Sequence, residues 1–291
     1  HPNTLTSRGN LALAYHVAGQ LDKALPLLEA TLKAQEAKLG ADHPNTLISR
    51  NNLALAYHVA GQLDKALPLY EATLKAKEAK LGADHPETLT SRSNLASAYQ
   101  SAGQLDRALP LFEEAAAGIE KLRFQHANAG RIIGNTISAF EKAGLLDKAE
   151  GWRRKWLAHV RRKAGAPSPA YAVELARLGS NLLKQKKWAE AEPVLSECVT
   201  IREKNEPEAW TTFNTMSMLG EAILGQKKYA DAEPVLLKGY EGIKARADKI
   251  PPQFKDVRLR EAIERLMRLY EALDRKDDVA KWRQVLPAAK K

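Results

Sequence analysis

Side chains able to do chemistry recur in this sequence at fixed intervals rather than converging on one place. Asn10, Asn52 and Asn94 are spaced by 42 residues, and Asn135 follows 41 residues later. A carboxamide offers both a donor and an acceptor, so a row of them can bond the backbone of an extended peptide whatever its side chains. Arg8, Arg50 and Arg92 repeat at the same interval, as do His16 with His58 and His43 with His85. Histidines one repeat apart are too distant to share an ion, and no His-x-x-x-His pair is present, so no metal site is expected. Cys198 is the single cysteine, which excludes an internal disulfide framework and a cysteine zinc site. No Gly-rich phosphate loop, Gly-x-Ser-x-Gly elbow or kinase motif occurs, and the carboxylates fall at repeating surface positions. These residues point to binding rather than catalysis, with no catalytic residues and no cofactor.

The elements that hold them are helical hairpins. Residues 1–42 and 43–84 match at all but four positions, Thr6/Ile48, Gly9/Asn51, Leu28/Tyr70 and Gln35/Lys77, and 85–126 continues the pattern. In each unit an apolar-periodic segment such as Leu47 to Val59 is followed by Gly61-Gln62 and a second segment from Lys65 to Leu81. Asp22, Asp64 and Asp106 are placed to cap the second helix, with Pro26, Pro68 and Pro110 in its first turn. Gly40 and Gly82 read as left-handed C-terminal caps, His43 and His85 as turn residues, and Pro44 and Pro86 as the openings of the next helices. Beyond 126 the units are diverged but legible: Leu178-Gly179-x-x-Leu182 with Ala191, Leu219-Gly220-x-x-Ile223 with Ala232, and a shared Gln-Lys-Lys-aromatic-Ala-acid-Ala-Glu-Pro at 185–193 and 226–234.

The signature Leu53-Ala54-x-x-Tyr57 with Ala66-x-x-x-Tyr70, repeated from Leu11 and from Leu95, resembles the tetratricopeptide repeat. The 42-residue period, long second helix and inter-repeat Asp-His-Pro are similar to the kinesin-light-chain type, also found in bacterial signalling proteins. The resemblance implies an all-α, right-handed superhelical solenoid of about seven hairpins and fourteen helices, forming one array over 1–291 with a hinge conceivable near 126. Three near-identical repeats (1–126) then precede about four diverged ones (127–291). It also implies that first helices line the concave groove. At 100° per residue Arg50, Leu53, Ala54 and Tyr57 share the packing arc, whereas Ile48, Asn51, Asn52, Leu55, His58 and Val59 face the groove. The predicted peptide-binding groove is therefore Asn10, Asn52, Asn94 and Asn135 with Asn51, Leu55, His58, Val59, Ser97 and Gln100, wetted further by Thr90, Ser93 and Ser101. The ladder is expected to end at Arg177, Met218 and Arg265, giving the second half of the groove a preference for a different, more acidic segment. Arg8, Arg50 and Arg92 are expected to clamp onto the preceding second helix, with Glu36 and Glu78 as partners of the latter two.

The chain of 291 residues is 44% hydrophobic and carries a formal charge of +10. Residues 1–126 hold 13 Lys/Arg against 13 Asp/Glu, so the whole excess lies in 127–291. Arg153-Arg154-Lys155 and Arg161-Arg162-Lys163 flank an apolar stripe of Trp152, Trp156 and Val160, and Arg154, Arg161 and Arg162 are the candidate patch for an anionic partner. The leading expectation is a scaffold for an extended peptide or partner segment, the sensor or recruitment arm of a larger signalling protein in the cytoplasm. A nucleic-acid-binding solenoid using the basic half competes with it, but the interleaved exposed aromatics that stack on bases are missing. Self-assembly end to end is the third reading, since His1-Pro2-Asn3-Thr4-Leu5 recurs as His43-Pro44-Asn45-Thr46-Leu47 and the start falls inside the array. No apolar run reaches the ~20 residues of a membrane helix, so no membrane partner is expected.

Overall fold

The computed structural model describes residues 8, 11, 14–15, 18–165 and 167–286, and among these there are thirteen helices and no strand. Two compact units result, His1–Gly144 and Leu145–Lys291. The first contains α1 (Leu21–Leu39), α2 (Pro44–Val59), α3 (Leu63–Leu81), α4 (Pro86–Ser101), α5 (Leu105–Lys121) and α6 (Ala129–Lys142). The second contains α7 (Leu146–Ala164), α8 (Pro169–Lys184), α9 (Trp188–Asn205), α10 (Trp210–Gly225), α11 (Tyr229–Ala245), α12 (Pro252–Ala272) and α13 (Lys276–Gln284). The helix expected before α1 falls largely on residues outside those described.

Each helix starts and stops for a local reason, and some of those reasons differ from the sequence reading. α3 begins at Leu63 behind Gln62, so Asp64 sits in the first turn instead of capping it; Asp22 and Asp106 behave alike. There the carboxylate still favours the positive end of the helix dipole. Pro68 consequently lies inside the helix rather than at its opening, where it leaves the Asp64 carbonyl without its helical donor. The true side-chain caps are His43 and His85, whose Nδ1 accepts from the backbone N–H of Asn45 and Glu87 at 3.2 Å, and His126 repeats the device toward Asn128. Gly82 ends α3 at φ 88°, in the glycine-favouring region, though with an extended ψ of 160°.

Hairpins bury their small residues at helix contacts and large ones beside them. Ala54, Ala66, Ala96 and Ala108 are fully buried, flanked by Leu28, Tyr70 and Phe112. In the second unit glycine takes the small position: a Cβ on Gly220 would lie 2.6 Å from the Leu236 side chain, so the closest helix approach there admits no side chain. Within each unit the first helices of successive hairpins touch one another, α2 with α4, α4 with α6, α8 with α10 and α10 with α12. Among the described residues the second helices of neighbouring hairpins stand further apart and meet through long side chains, Arg107 with Glu71 at 3.2 Å, Arg154 with Glu190 at 2.6 Å and Lys238 with Glu203 at 3.0 Å. The first helices thus make a continuous inner wall within each unit.

Candidate functional site

In the first unit the wall is built from α2, α4 and α6, and helical phase decides what it shows. Asn52, Asn94 and Asn135 are half-buried on it, together with Asn51, Leu55, His58, Ser97 and Gln100. Ile48 and Val59 have 47% and 58% of their surface exposed and so present aliphatic surface to solvent. Asn10 lies outside the described residues. Ser93 does not line the wall: it is fully buried, because α4 turns this position into the contact with its neighbours.

The asparagines do not simply form rungs of equivalent residues. Asn94 Nδ2 donates to Asn51 Oδ1 at 3.1 Å, not to Asn52, and Asn94 Oδ1 accepts from Arg131 Nη1 at 3.0 Å. One chain of hydrogen bonds therefore crosses all three helices. Asn128 Nδ2 donates to Thr90 Oγ1 at 3.2 Å, and His58 Nε2 meets Ser101 Oγ at 2.8 Å, adding two further ties between neighbours. Asn52 and Asn135 have no side-chain partner among the described residues, so their carboxamides keep full bonding capacity. Arg131 was not singled out from sequence; it occupies the groove position of Ile48 and Thr90, and that alignment was the available signal.

Burial sets the electrostatics of the wall. His58 is edge-on to the Tyr70 ring, 6.3 Å between centroids, and burial lowers its pKa below the usual imidazole value. It is accordingly neutral at pH 7. Burial likewise raises the Tyr70 phenol far above its ordinary range, while the nearby Arg131 guanidinium opposes that shift.

The packing arc matches its sequence reading at two of three arginines. Arg50 Nη2 donates to Glu36 Oε1 at 2.8 Å and to the Ala41 carbonyl at 3.1 Å; Arg92 Nη2 donates to Glu78 Oε1 at 2.6 Å. Arg8 is exposed, unlike its two repeats. A second staple escaped the sequence: the Tyr57 and Tyr99 hydroxyls donate to Glu29 and Glu71 of the preceding helix, and Tyr270 donates to Glu233 at 3.0 Å. Burial first, then the bonded carboxylate, pushes the Tyr57, Tyr99 and Tyr270 phenols up to about 12.

The second unit departs from expectation. Met218 and Arg265 are buried, not groove-facing, and Arg265 Nε pairs with Glu221 at 2.6 Å. Arg177 is exposed but paired with Glu174 at 2.6 Å. The cations expected to select an acidic segment are thus already neutralised by residues a helical turn or one repeat away. The α7 patch is partly spent in the same way: Arg154 pairs with Glu150 at 2.7 Å and Glu190 at 2.6 Å, and Arg161 lies over the Tyr171 ring. Arg162 stays exposed. The shared Gln-Lys-Lys motif is a clasp between repeats. Gln185 and Lys187 both donate to Glu150, at 2.9 and 2.8 Å, and Gln226 and Lys228 both donate to Glu192, at 2.6 and 2.9 Å. These bonds hold Glu150 and Glu192 below the usual carboxylate range, at Glu150 against a burial effect in the opposite direction.

Cys198 is a buried free cysteine, its Sγ donating to the Ala172 carbonyl. Among the described residues no group of three or more His, Cys, Asp or Glu is gathered as a metal site, and no helix is long and apolar enough to cross a membrane.

The tetratricopeptide repeat family model matches residues 3–79 and 50–121. A putative kinesin light chain from Podosopora anserina, with nearly identical TPR-like repeats, is 28% identical at a TM-score of 0.62, over 71% of this chain and 98% of that one. BtubC (BKLC) from P. vanneervenii is 19% identical at 0.57, over 80% and 94%. The C-terminal part of a TPR repeat-containing protein from Cytophaga hutchinsonii is 15% identical at 0.61, over 94% and 92%. No curated protein matches the chain. Residues 3–121 thus match the tetratricopeptide repeat, and the fold of the chain is similar to that of the putative kinesin light chain's repeats.

Proposed function

We propose that this array of tetratricopeptide-type hairpins, read as one array over 1–291, is a scaffold that holds an extended segment of a partner protein against the wall of α2, α4 and α6. One observation carries the reading: Asn52 and Asn135 offer unused carboxamides on the same surface that leaves Ile48 and Val59 exposed. Carboxamides grip peptide backbone irrespective of sequence, while the aliphatic side chains sort partners by what they pack against. The scaffold acts within a larger signalling protein in the cytoplasm. The nucleic-acid reading is weakened by the ion pairs that occupy Arg154, Arg177 and Arg265.

The test is selection of a peptide from a random library on the purified chain, followed by affinity measurement on variants. Asn52→Ala and Asn135→Ala should each weaken binding by roughly 0.5–1.5 kcal/mol, similarly for unrelated peptides, with thermal unfolding unchanged. Ile48→Ala and Val59→Ala should instead change which peptides are selected. Full affinity in the double asparagine variant would remove this wall as the binding surface.

A further inference from the structure

The near-identity of the repeats poses a problem of order. α1 and α3 differ at two positions, Leu28/Tyr70 and Gln35/Lys77, and the arginine clamp is the same at both junctions, Arg50 to Glu36 and Arg92 to Glu78. Neither the shared apolar surface nor the clamp can tell α2 from α4 as the helix that should follow. Repeat proteins misassemble by such exchange, between copies of a chain as well as within one.

Besides the apolar exchange of Leu28, Tyr70 and Phe112, one buried position differs at every junction and changes its polarity. Gln35, Lys77 and Ile119 are equivalent residues of α1, α3 and α5, exposed by only 5%, 6% and 0%. The second residue after each cap histidine varies with them: Asn45, Glu87 and Asn128. At the middle junction the two are joined, Lys77 Nζ lying 3.2 Å from Glu87 Oε2. Asn128 instead turns its side chain to Thr90. The Lys77 stem is buried and its ammonium emerges beside Glu87, a half-exposed carboxylate that is within reach only if α3 is followed by α4. Docked on α2, Lys77 would face the neutral Asn45; α1 docked on α4 would leave Glu87 opposite Gln35. The Asn51 to Asn94 bond favours the same order, because the first repeat has Gly9 where Asn51 stands in the second.

We infer that the Lys77–Glu87 ion pair keys the second hairpin to the third, so that, within one chain or between two copies, α3 accepts α4 and not α2 as the helix that follows it. It converts a repetitive surface into an addressed one, by making the wrong neighbour costly rather than the right one tighter.

A charge exchange tests this. Glu87→Lys and Lys77→Glu each place like charges at the junction within their own chain, whereas two different variant chains that swap hairpins restore both ion pairs. Each variant, carrying its own fluorescent label, is refolded from denaturant alone and mixed at equal concentration. The expected result is a severalfold excess of mixed pairs over statistical mixing, read by energy transfer and native mass spectrometry. Where a variant alone loses helical signal, that signal should return on mixing. Statistical populations, monomers only, or helical signal that mixing does not restore would overturn the assignment.

Discussion

Removing Arg92 tests how the repeats are held together. Its guanidinium is 7% exposed, donates to Glu78 at 2.6 Å and approaches Glu114 at 3.4 Å. Breaking a fully buried ion pair costs about 3–5 kcal/mol because the surviving charge has no solvent. Here the Glu78 side chain is 39% exposed, so water can take over much of its solvation and the ionic part shrinks toward the surface range of about 1 kcal/mol or less. Truncation also empties the space the arginine stem filled between α3 and α4, adding a packing loss. Arg92→Ala should therefore destabilise by roughly 1–3 kcal/mol, and Arg50→Ala, with its additional bond to the Ala41 carbonyl, by a similar amount. Arg92→Met keeps most of the volume and separates the two parts. The measurement is urea unfolding followed by helical circular dichroism and by amide exchange of α3 and α4, since repeat arrays need not unfold in one step. Unchanged midpoints and exchange rates in both alanine variants would refute the clamp.

Other consequences follow from local chemistry. Because burial depresses the His58 pKa below its unfolded value near 6.5, its contribution to stability is present above that pH and is lost as pH falls through the folded value; His58→Gln, which copies Gln100, should flatten the fall in unfolding midpoint between about pH 7 and 5. Glu150, Glu192 and Glu221 are held below the unfolded value of about 4.3, so they stabilise above it and release that stability in acid; Glu221→Gln, paired with Arg265 and Arg268 in the native chain, should lower stability at pH 7 and reduce its acid dependence. Gly103 has φ 75° with open space around it, so Gly103→Ala should cost roughly 1–2 kcal/mol from backbone alone, whereas Lys227→Gly, at φ 63° in the equivalent turn, should raise the unfolding midpoint.

Much of this was legible because a repeat prints its helical phase several times. The inward arc of α2, the caps at Gly40 and Gly82 and the Arg50 to Glu36 pair all follow from which residues recur at 42-residue spacing. What was hidden depends on reach across helices. Asn94 choosing Asn51 over Asn52, and Arg131 stretching back to Asn94, are set by side-chain length and the offset between neighbours, which no single helical wheel contains. Phase also failed where the repeats diverge: Met218 and Arg265 align with Asn94 by spacing, yet α10 and α12 turn them inward. Asp64 looked like a cap because its side chain could serve as one, but the helix starts at Leu63, two residues earlier than that reading requires, and His43 and His85 cap the other helices through a ring nitrogen.

Successive first helices approach closely, whereas successive second helices meet through the ends of long charged side chains, and this gives each unit an uneven elasticity. In the first unit the inner edge is pinned by the Asn51, Asn94 and Arg131 chain, while the outer edge, tied by the exposed Arg107 to Glu71 pair, yields more easily, like the leaves of a fan. A segment lying along α2, α4 and α6 would rest on the pivot itself, so capturing it stiffens the one edge about which the hairpins tilt. Occupancy would then be transmitted as a change in compliance, available to whatever the array is joined to, without any hairpin having to refold.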